Sequence, residues 1–186
     1  MSLVNETMLS LGKAPSVIRE TFEYGRARAA EIGRENVFDF SLGNPSIPAP
    51  AEVTDTLRRL LAEESPVTLH GYTSAPGDPA ARRAVAEDLN RRFDAGLTPG
   101  GIYMTCGAAA SLTCTLHALV RPGDEVIVLA PYFPEYRVFA EKAGAKLVTV
   151  MTEPGSFQPD PTALAAALSA KTRAVILNSP NNPTGA

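Results

Sequence analysis

The sequence predicts an α/β protein: a mostly parallel sheet flanked by helices in three layers, with part of a smaller N-terminal domain. Three observations carry this. From residue 101 on, short apolar runs alternate with helical patterns, the signature of βαβ units with right-handed crossovers. Val126-Ile-Val-Leu-Ala130 is a nearly continuous apolar run, as expected of a parallel strand covered on both faces. Asp78-Pro79 and Asp160-Pro161 each pair an N-cap carboxylate with proline at the first helical position.

Taken in order, residues 1–15 read as loose chain. Ile18, Phe22, Gly25, Ala29 and Ile32 recur at helical spacing, and Gly33 can cap that helix. Val37 to Leu42 reads as a short extended segment that breaks at Gly43-Asn-Pro-Ser. The backbone at Gly43, free of a Cβ, lets a ligand approach closely, and the same turn equally suits a connector between domains. Pro48-Ala-Pro50 opens a helix with Val53, Leu57, Leu60 and Leu61 as its apolar stripe. A polar loop, His70-Gly-Tyr-Thr-Ser-Ala-Pro-Gly-Asp78, leads into the next helix. There Ala81, Val85, Leu89 and Phe93 mark the buried face, and Arg82, Arg83, Arg91 and Arg92 read as a solvated face. Ile102 to Thr105 reads as a strand, followed by Cys106-Gly-Ala-Ala-Ala-Ser111 and a helix with Leu112, Leu116, Leu119 and Val120 on one side. After Val126–Ala130 come Pro131-Tyr-Phe-Pro134, a helix from Glu135 to Gly144 and a strand at Lys146–Val150. The helix opened by Asp160 turns Leu164 and Leu168 inward. The last strand, Ala174 to Leu177, runs into the turn Asn178 to Gly185.

Composition narrows the function classes. The 186 residues suffice for one domain or somewhat more, with 45% hydrophobic and 20% charged residues and a net charge of −3. That balance disfavours nucleic acid and anionic membrane as partners. No apolar run approaches the ~18 residues of a membrane span, and the first residues lack signal-peptide character, so a cytoplasmic protein is expected. Cys106 and Cys114 show no metal-binding spacing and are expected to be reduced and mostly buried. His70 and His117 are far apart, and His117 reads as structural. No metal site is expected.

Three loops follow predicted strands and would line one rim of the sheet, where open α/β sheets bind ligands. In the first, the small residues after Gly107 leave the amides of Ala108 and Ala109 open at a helix N-terminus, which favours an anion such as phosphate. Tight helix–strand packing would account for them equally well. There is no Gly-x-Gly-x-x-Gly and no Walker lysine, which disfavours a dinucleotide or ATP. The second offers Phe133, beside Tyr132, as a stacking surface for a flat ring. The third offers Asn182, whose amide both donates and accepts. Phosphate, flat ring and polar ring substituent together describe pyridoxal 5′-phosphate (PLP).

At these residues the chain resembles the class I/II aminotransferases, the fold-type I PLP-dependent enzymes. The ordered motifs are Ser41-Leu-Gly-Asn-Pro45, Gly71-Tyr-Thr-Ser-Ala-Pro-Gly-Asp78, Pro122-Gly-Asp-Glu-Val126, Pro131-Tyr-Phe-Pro-Glu-Tyr136 and Ser179-Pro-Asn-Asn-Pro-Thr-Gly185. The resemblance implies that Asn182 meets the phenolic oxygen of PLP and Phe133 stacks on its ring. It implies that Ala108 and Ala109 hold the phosphate, with Gly107 permitting the turn. It assigns Gly43 to the substrate carboxylate and Tyr72 to the phosphate of a neighbouring subunit's PLP, hence a homodimer. Ala110-Ser111 departs from the family, where an acidic or amide residue and then alanine is common.

Residues 1–42 are then expected to be an N-terminal segment with part of the small domain, and 43–186 the front of the large PLP-binding domain. The family's Schiff-base lysine, its ring-nitrogen aspartate and its substrate-gripping arginine follow the Asn-Pro-Thr-Gly motif. Here the lysines are Lys13, Lys142, Lys146 and Lys171, and none stands in a matching context. The chain is therefore expected to be a truncated part of an aminotransferase that acts on an amino acid and a 2-oxo acid, and to be inactive alone. A carbon–sulfur β-lyase of the same fold and a non-catalytic cofactor-binding remnant remain as alternatives.

Overall fold

The computed structural model describes residues 3–13, 16–43 and 47–186. They fall into two units, residues 1–72 and 73–186.

The first unit is helical. Helix α1 (Glu6–Lys13) occupies the stretch expected to be loose. Its Asn5 side chain accepts from the Met8 amide, the sort of cap that lets a short amphipathic segment form a helix. Helix α2 (Val17–Ile32) runs from a Ser16 cap to Gly33, whose amide closes on Ala29 at φ 91°. The Val37–Phe40 segment is extended but pairs with no strand. It returns past α2 at Gly25, where a Cβ would stand 3.2 Å from Asp39 Oδ2. The carboxylate of Asp39 accepts from the Ser41 hydroxyl and amide, which hold it below its ordinary pKa. Helix α3 (Ala51–Glu63) follows Pro50 as expected. A further helix, α4 (Pro66–His70), has a Ser65 cap and proline at its start.

The second unit holds the sheet. Helix α5 (Pro79–Phe93) is capped by Asp78, helix α6 is Ala108–Leu119, and strand β1 is Glu125–Ala130. Then come α7 (Glu135–Lys142), β2 (Lys146–Met151), α8 (Pro161–Ala167, capped by Asp160) and β3 (Thr172–Ile176). The strand order is β2-β1-β3, with β1 parallel to both neighbours. Val126, Ile127 and Val128 are fully buried. Successive strand residues point to opposite faces, so β1 is covered on both sides, as its apolar run predicts. On the face of Val126 and Val128, the core gathers Leu116 and Val120 of the α6 segment, Tyr136 and Ala140 of α7, and Leu147 of β2. At the amino ends of the strands, Arg173 bulges out of the β1–β3 register and bonds Asp124 Oδ2 at 3.1 Å.

Several expectations need correction. Ile102–Thr105 is extended but joins no strand, because its backbone is held elsewhere. Met104 N–H donates to Pro76 O at 2.9 Å. Arg82 donates from Nε to Ile102 O (2.8 Å) and from Nη2 to Pro99 O (2.6 Å). Arg82 is thus a clamp rather than part of a solvated face, whereas Arg91 and Arg92 do pair with Asp88 on the surface. On α5, Ala86 is the buried residue and Phe93 is exposed, with the Arg92 guanidinium over its ring. Leu119 and Leu168 are likewise exposed. Cys106 and Cys114 are free but exposed. Cys106 sits in a turn, and Cys114 lies about 200° around α6 from Leu116, away from the core.

Candidate active site

The rim is built where β1 and β3 end. The Arg82 clamp and the Met104–Pro76 bond fix the extended segment that leads into α6. The chain then turns at Gly107, which has φ 85° and ψ 171° and offers no side-chain cap. A left-handed φ is the reason glycine stands there. A Cβ at Gly107 would meet nothing within 4 Å, so the space beside the helix end is open. The amides of Ala108 and Ala109 have no intrahelical acceptor by position. Helices α5 and α8, by contrast, close their first turns with Asp78 and Asp160. An open helix N-terminus is a place for an anion.

The loop after β1 carries Tyr132 and Phe133, both half-buried. Phe133 meets Tyr136 edge-on, with ring centroids 5.6 Å apart and planes at 79°. The Tyr132 hydroxyl accepts from Arg137 at 3.2 Å. The loop after β3 is tied to this one by a residue that sequence reasoning passed over. Asn181 donates from Nδ2 to Pro131 O and to Thr184 Oγ1, each at 2.9 Å. Its neighbour Asn182 is exposed. Its backbone N–H is held by Asn178 Oδ1 at 2.8 Å, and its side-chain amide bonds to no described residue. One asparagine fastens the loop and the next stays available. The doubled Asn-Asn of the sequence was the only hint of that division.

The structure therefore brings five of the predicted residues to one region of the second unit. Phe133 and Asn182 share the rim at the ends of two paired strands. Gly107, Ala108 and Ala109 open the helix whose Leu112 packs on the same apolar cluster as Tyr132, Phe133 and Ile176. Gly43 and Tyr72 belong to the first unit, and both are exposed. Asn44, Pro45 and Ser46 lie outside the described residues. A cavity of about 220 Å³ also opens at the rim, lined by Leu129, Tyr136, Ile176, Asn178 and Asn181 among others. None of Gly107, Ala108, Ala109, Phe133 or Asn182 lines it.

The donor set suits a phosphorylated aromatic ring: free amides at a helix end, an aromatic side chain and an unpaired carboxamide. Among the described residues no group of His, Cys, Asp and Glu is placed to hold a metal ion. All four lysines are exposed, and the three of the second unit, Lys142, Lys146 and Lys171, stand off the rim. Lys146 begins β2 and Lys171 precedes β3, so both stand at the opposite edge of the sheet, roughly 17–20 Å away. Lys142 ends α7 and Lys13 ends α1.

A parallel α/β sheet with an open helix end and a polar loop at its carboxyl rim is an arrangement suited to a phosphorylated ligand. Comparison with known proteins narrows this class. Residues 35–186 match the family model for aminotransferase class I and II, and the chain belongs to that family. It is 37% identical over 163 residues to the aspartate/prephenate aminotransferase of Thermus thermophilus, covering 86% of this chain and 41% of that protein. It is 34% identical over 172 residues to the aspartate aminotransferase of Pyrococcus horikoshii, covering 92% of this chain and 41% of that one. A crystal structure of an aminotransferase from Eubacterium rectale superposes with a TM-score of 0.93 at 53% identity, covering 98% of this chain and 46% of that one. The chain thus spans less than half the length of these relatives.

Proposed function

We propose that this chain forms the cofactor-cradling part of a PLP-dependent aminotransferase. The observation that carries the proposal is the uncapped α6 N-terminus at Gly107, near a rim that also presents Phe133 and a free Asn182 carboxamide. Bound there, PLP supplies an electron sink that lets an amino acid yield its α-proton and pass its amino group to a 2-oxo acid. The Ala108 and Ala109 amides hold the phosphate at the positive end of α6. Phe133 covers one face of the ring and excludes water from it. Asn182 orients the ring by bonding its phenolic oxygen. Gly43 receives the substrate carboxylate through its backbone, and Tyr72 reaches the cofactor phosphate of a second subunit in a homodimer.

None of the second unit's three lysines stands on the rim, and Lys13 ends a surface helix of the first unit, so we place the lysine that moves the proton in the portion of the relatives this chain does not span. Residues 43–72 then go with the larger domain, and residues 1–42 with the smaller. No described helix is long and apolar enough to cross a membrane, which is compatible with a cytoplasmic enzyme. The test uses the full-length protein with PLP, a ¹⁵N-labelled amino acid and a 2-oxo acid. The expected result is ¹⁵N in the amino acid formed from the 2-oxo acid. Label released as ammonia with no new amino acid would overturn the proposal.

A further inference from the structure

The turn before α6 carries a hydrogen-bond chain that the cofactor contacts do not account for. Thr105 Oγ1 donates to Gly107 O at 3.1 Å and lies 2.5 Å from Ser111 Oγ. Both hydroxyls are half-buried. Gly107 N–H donates back to Thr105 O at 2.8 Å, and Ser111 N–H donates to Gly107 O at 3.2 Å. One set of protons satisfies everything: Ser111 Oγ–H donates to Thr105 Oγ1, whose own proton goes to Gly107 O.

The Gly107 carbonyl is thereby drawn towards the helix by two donors. In a planar trans peptide the C=O and the following N–H point in opposite directions. Holding the Gly107 oxygen inward fixes the Ala108 N–H outward, along the helix axis into the open space. Gly107 itself is the residue least able to resist a peptide rotation, so something outside it must set the plane. We propose that Thr105 and Ser111 are positioning residues, which aim the Ala108 amide at the cofactor phosphate. The inference rests on the reading of α6 as the phosphate cradle. It also gives a purpose to Ser111 at the position where the chain departs from the family pattern.

The test is equilibrium binding of PLP and of pyridoxal, which lacks the phosphate, to the full-length apoprotein. Thr105→Val keeps the shape and removes the donor. It should weaken PLP roughly 3- to 10-fold, the worth of one neutral hydrogen bond, and leave pyridoxal within about twofold on the same scale. Thr105→Ser, which retains the hydroxyl, should restore PLP affinity. Unchanged PLP binding in Thr105→Val, or equal weakening of both ligands, overturns the proposal. If Thr105→Val does not fold, Ser111→Ala is read by the same two outcomes. Ala108→Pro separates this inference from the reading beneath it. Proline is tolerated at the first helical position, and Gly107 at ψ 171° suits the residue before it. If Ala108→Pro weakens PLP while Thr105→Val does not, only the positioning role fails. If Ala108→Pro leaves PLP affinity intact, the phosphate cradle itself is wrong.

Discussion

Replacing Asn181 by alanine removes the link between the loops after β1 and β3. Two hydrogen bonds go, to Pro131 O and Thr184 Oγ1, both at 2.9 Å and half-buried. Each is worth about 0.5–1.5 kcal/mol net, and water partly replaces them at this depth, so the loss should be about 1–2 kcal/mol. At 1.4 kcal/mol per tenfold, the loop should open roughly 5- to 30-fold more often. Hydrogen exchange reads this at the Gly185 amide, bonded to Asn181 O, and at the Asn182 amide, bonded to Asn178 Oδ1. Asn181→Asp should behave no better, since a carboxylate facing the Pro131 carbonyl has no proton to give. Asn182→Ala should leave exchange and stability within about 0.5 kcal/mol, as an exposed side chain without partners among the described residues. The division of labour between the two asparagines is refuted if Asn181→Ala exchanges like the wild type, or if Asn182→Ala loosens the loop more.

Two further outcomes follow from the same geometry. Arg82→Ala should cost about 1–3 kcal/mol in urea unfolding, from two charge-assisted bonds that are partly solvent-screened. Arg82→Lys should recover less than half, because an ammonium cannot span Ile102 O and Pro99 O as a fork does. Asp124 is held below the ordinary aspartate value, first by the Arg173 guanidinium and then by the Arg121 amide. A lowered folded pKa means its contribution is complete above about 3.8 and is lost as pH falls through the folded value. Asp124→Asn should therefore flatten the acid limb of the stability–pH curve below that point, and an unchanged limb would contradict the assignment.

The elements that were legible in the sequence are those specified by neighbouring residues. Asp78-Pro79 and Asp160-Pro161 start helices because the cap and the fixed φ are local chemistry. The β1 strand was legible because Val126–Ala130 is apolar throughout. The Ser65-Pro66 start of α4 uses the same local signals, in a stretch between Leu61 and the His70 loop to which the sequence reading assigns no element. Strand pairing at Ile102–Thr105 was not legible, because its partners are Pro76 and the distant Arg82 rather than a neighbouring strand. The average behaviour of cysteine favours burial, but the turn before α6 exposes Cys106 and the outer side of α6 exposes Cys114. At the candidate site, motif order singles out Gly107, Phe133 and Asn182, and the structure sets Gly107 before α6 and the other two on the loops after β1 and β3. Asn181 and the Thr105–Ser111 pair were not legible, since their value lies in contacts that exist only once the turns have formed.

The central claim is that the rim at Gly107, Phe133 and Asn182 holds the cofactor, and a crystal structure of the full-length protein with PLP tests it most directly. The account predicts phosphate oxygens about 2.7–3.2 Å from the Ala108 and Ala109 nitrogens, the ring against Phe133, and the Asn182 carboxamide on the ring oxygen. A phosphate seated instead in the cavity lined by Leu129, Tyr136 and Ile176, with the α6 amides left to solvent, would contradict it.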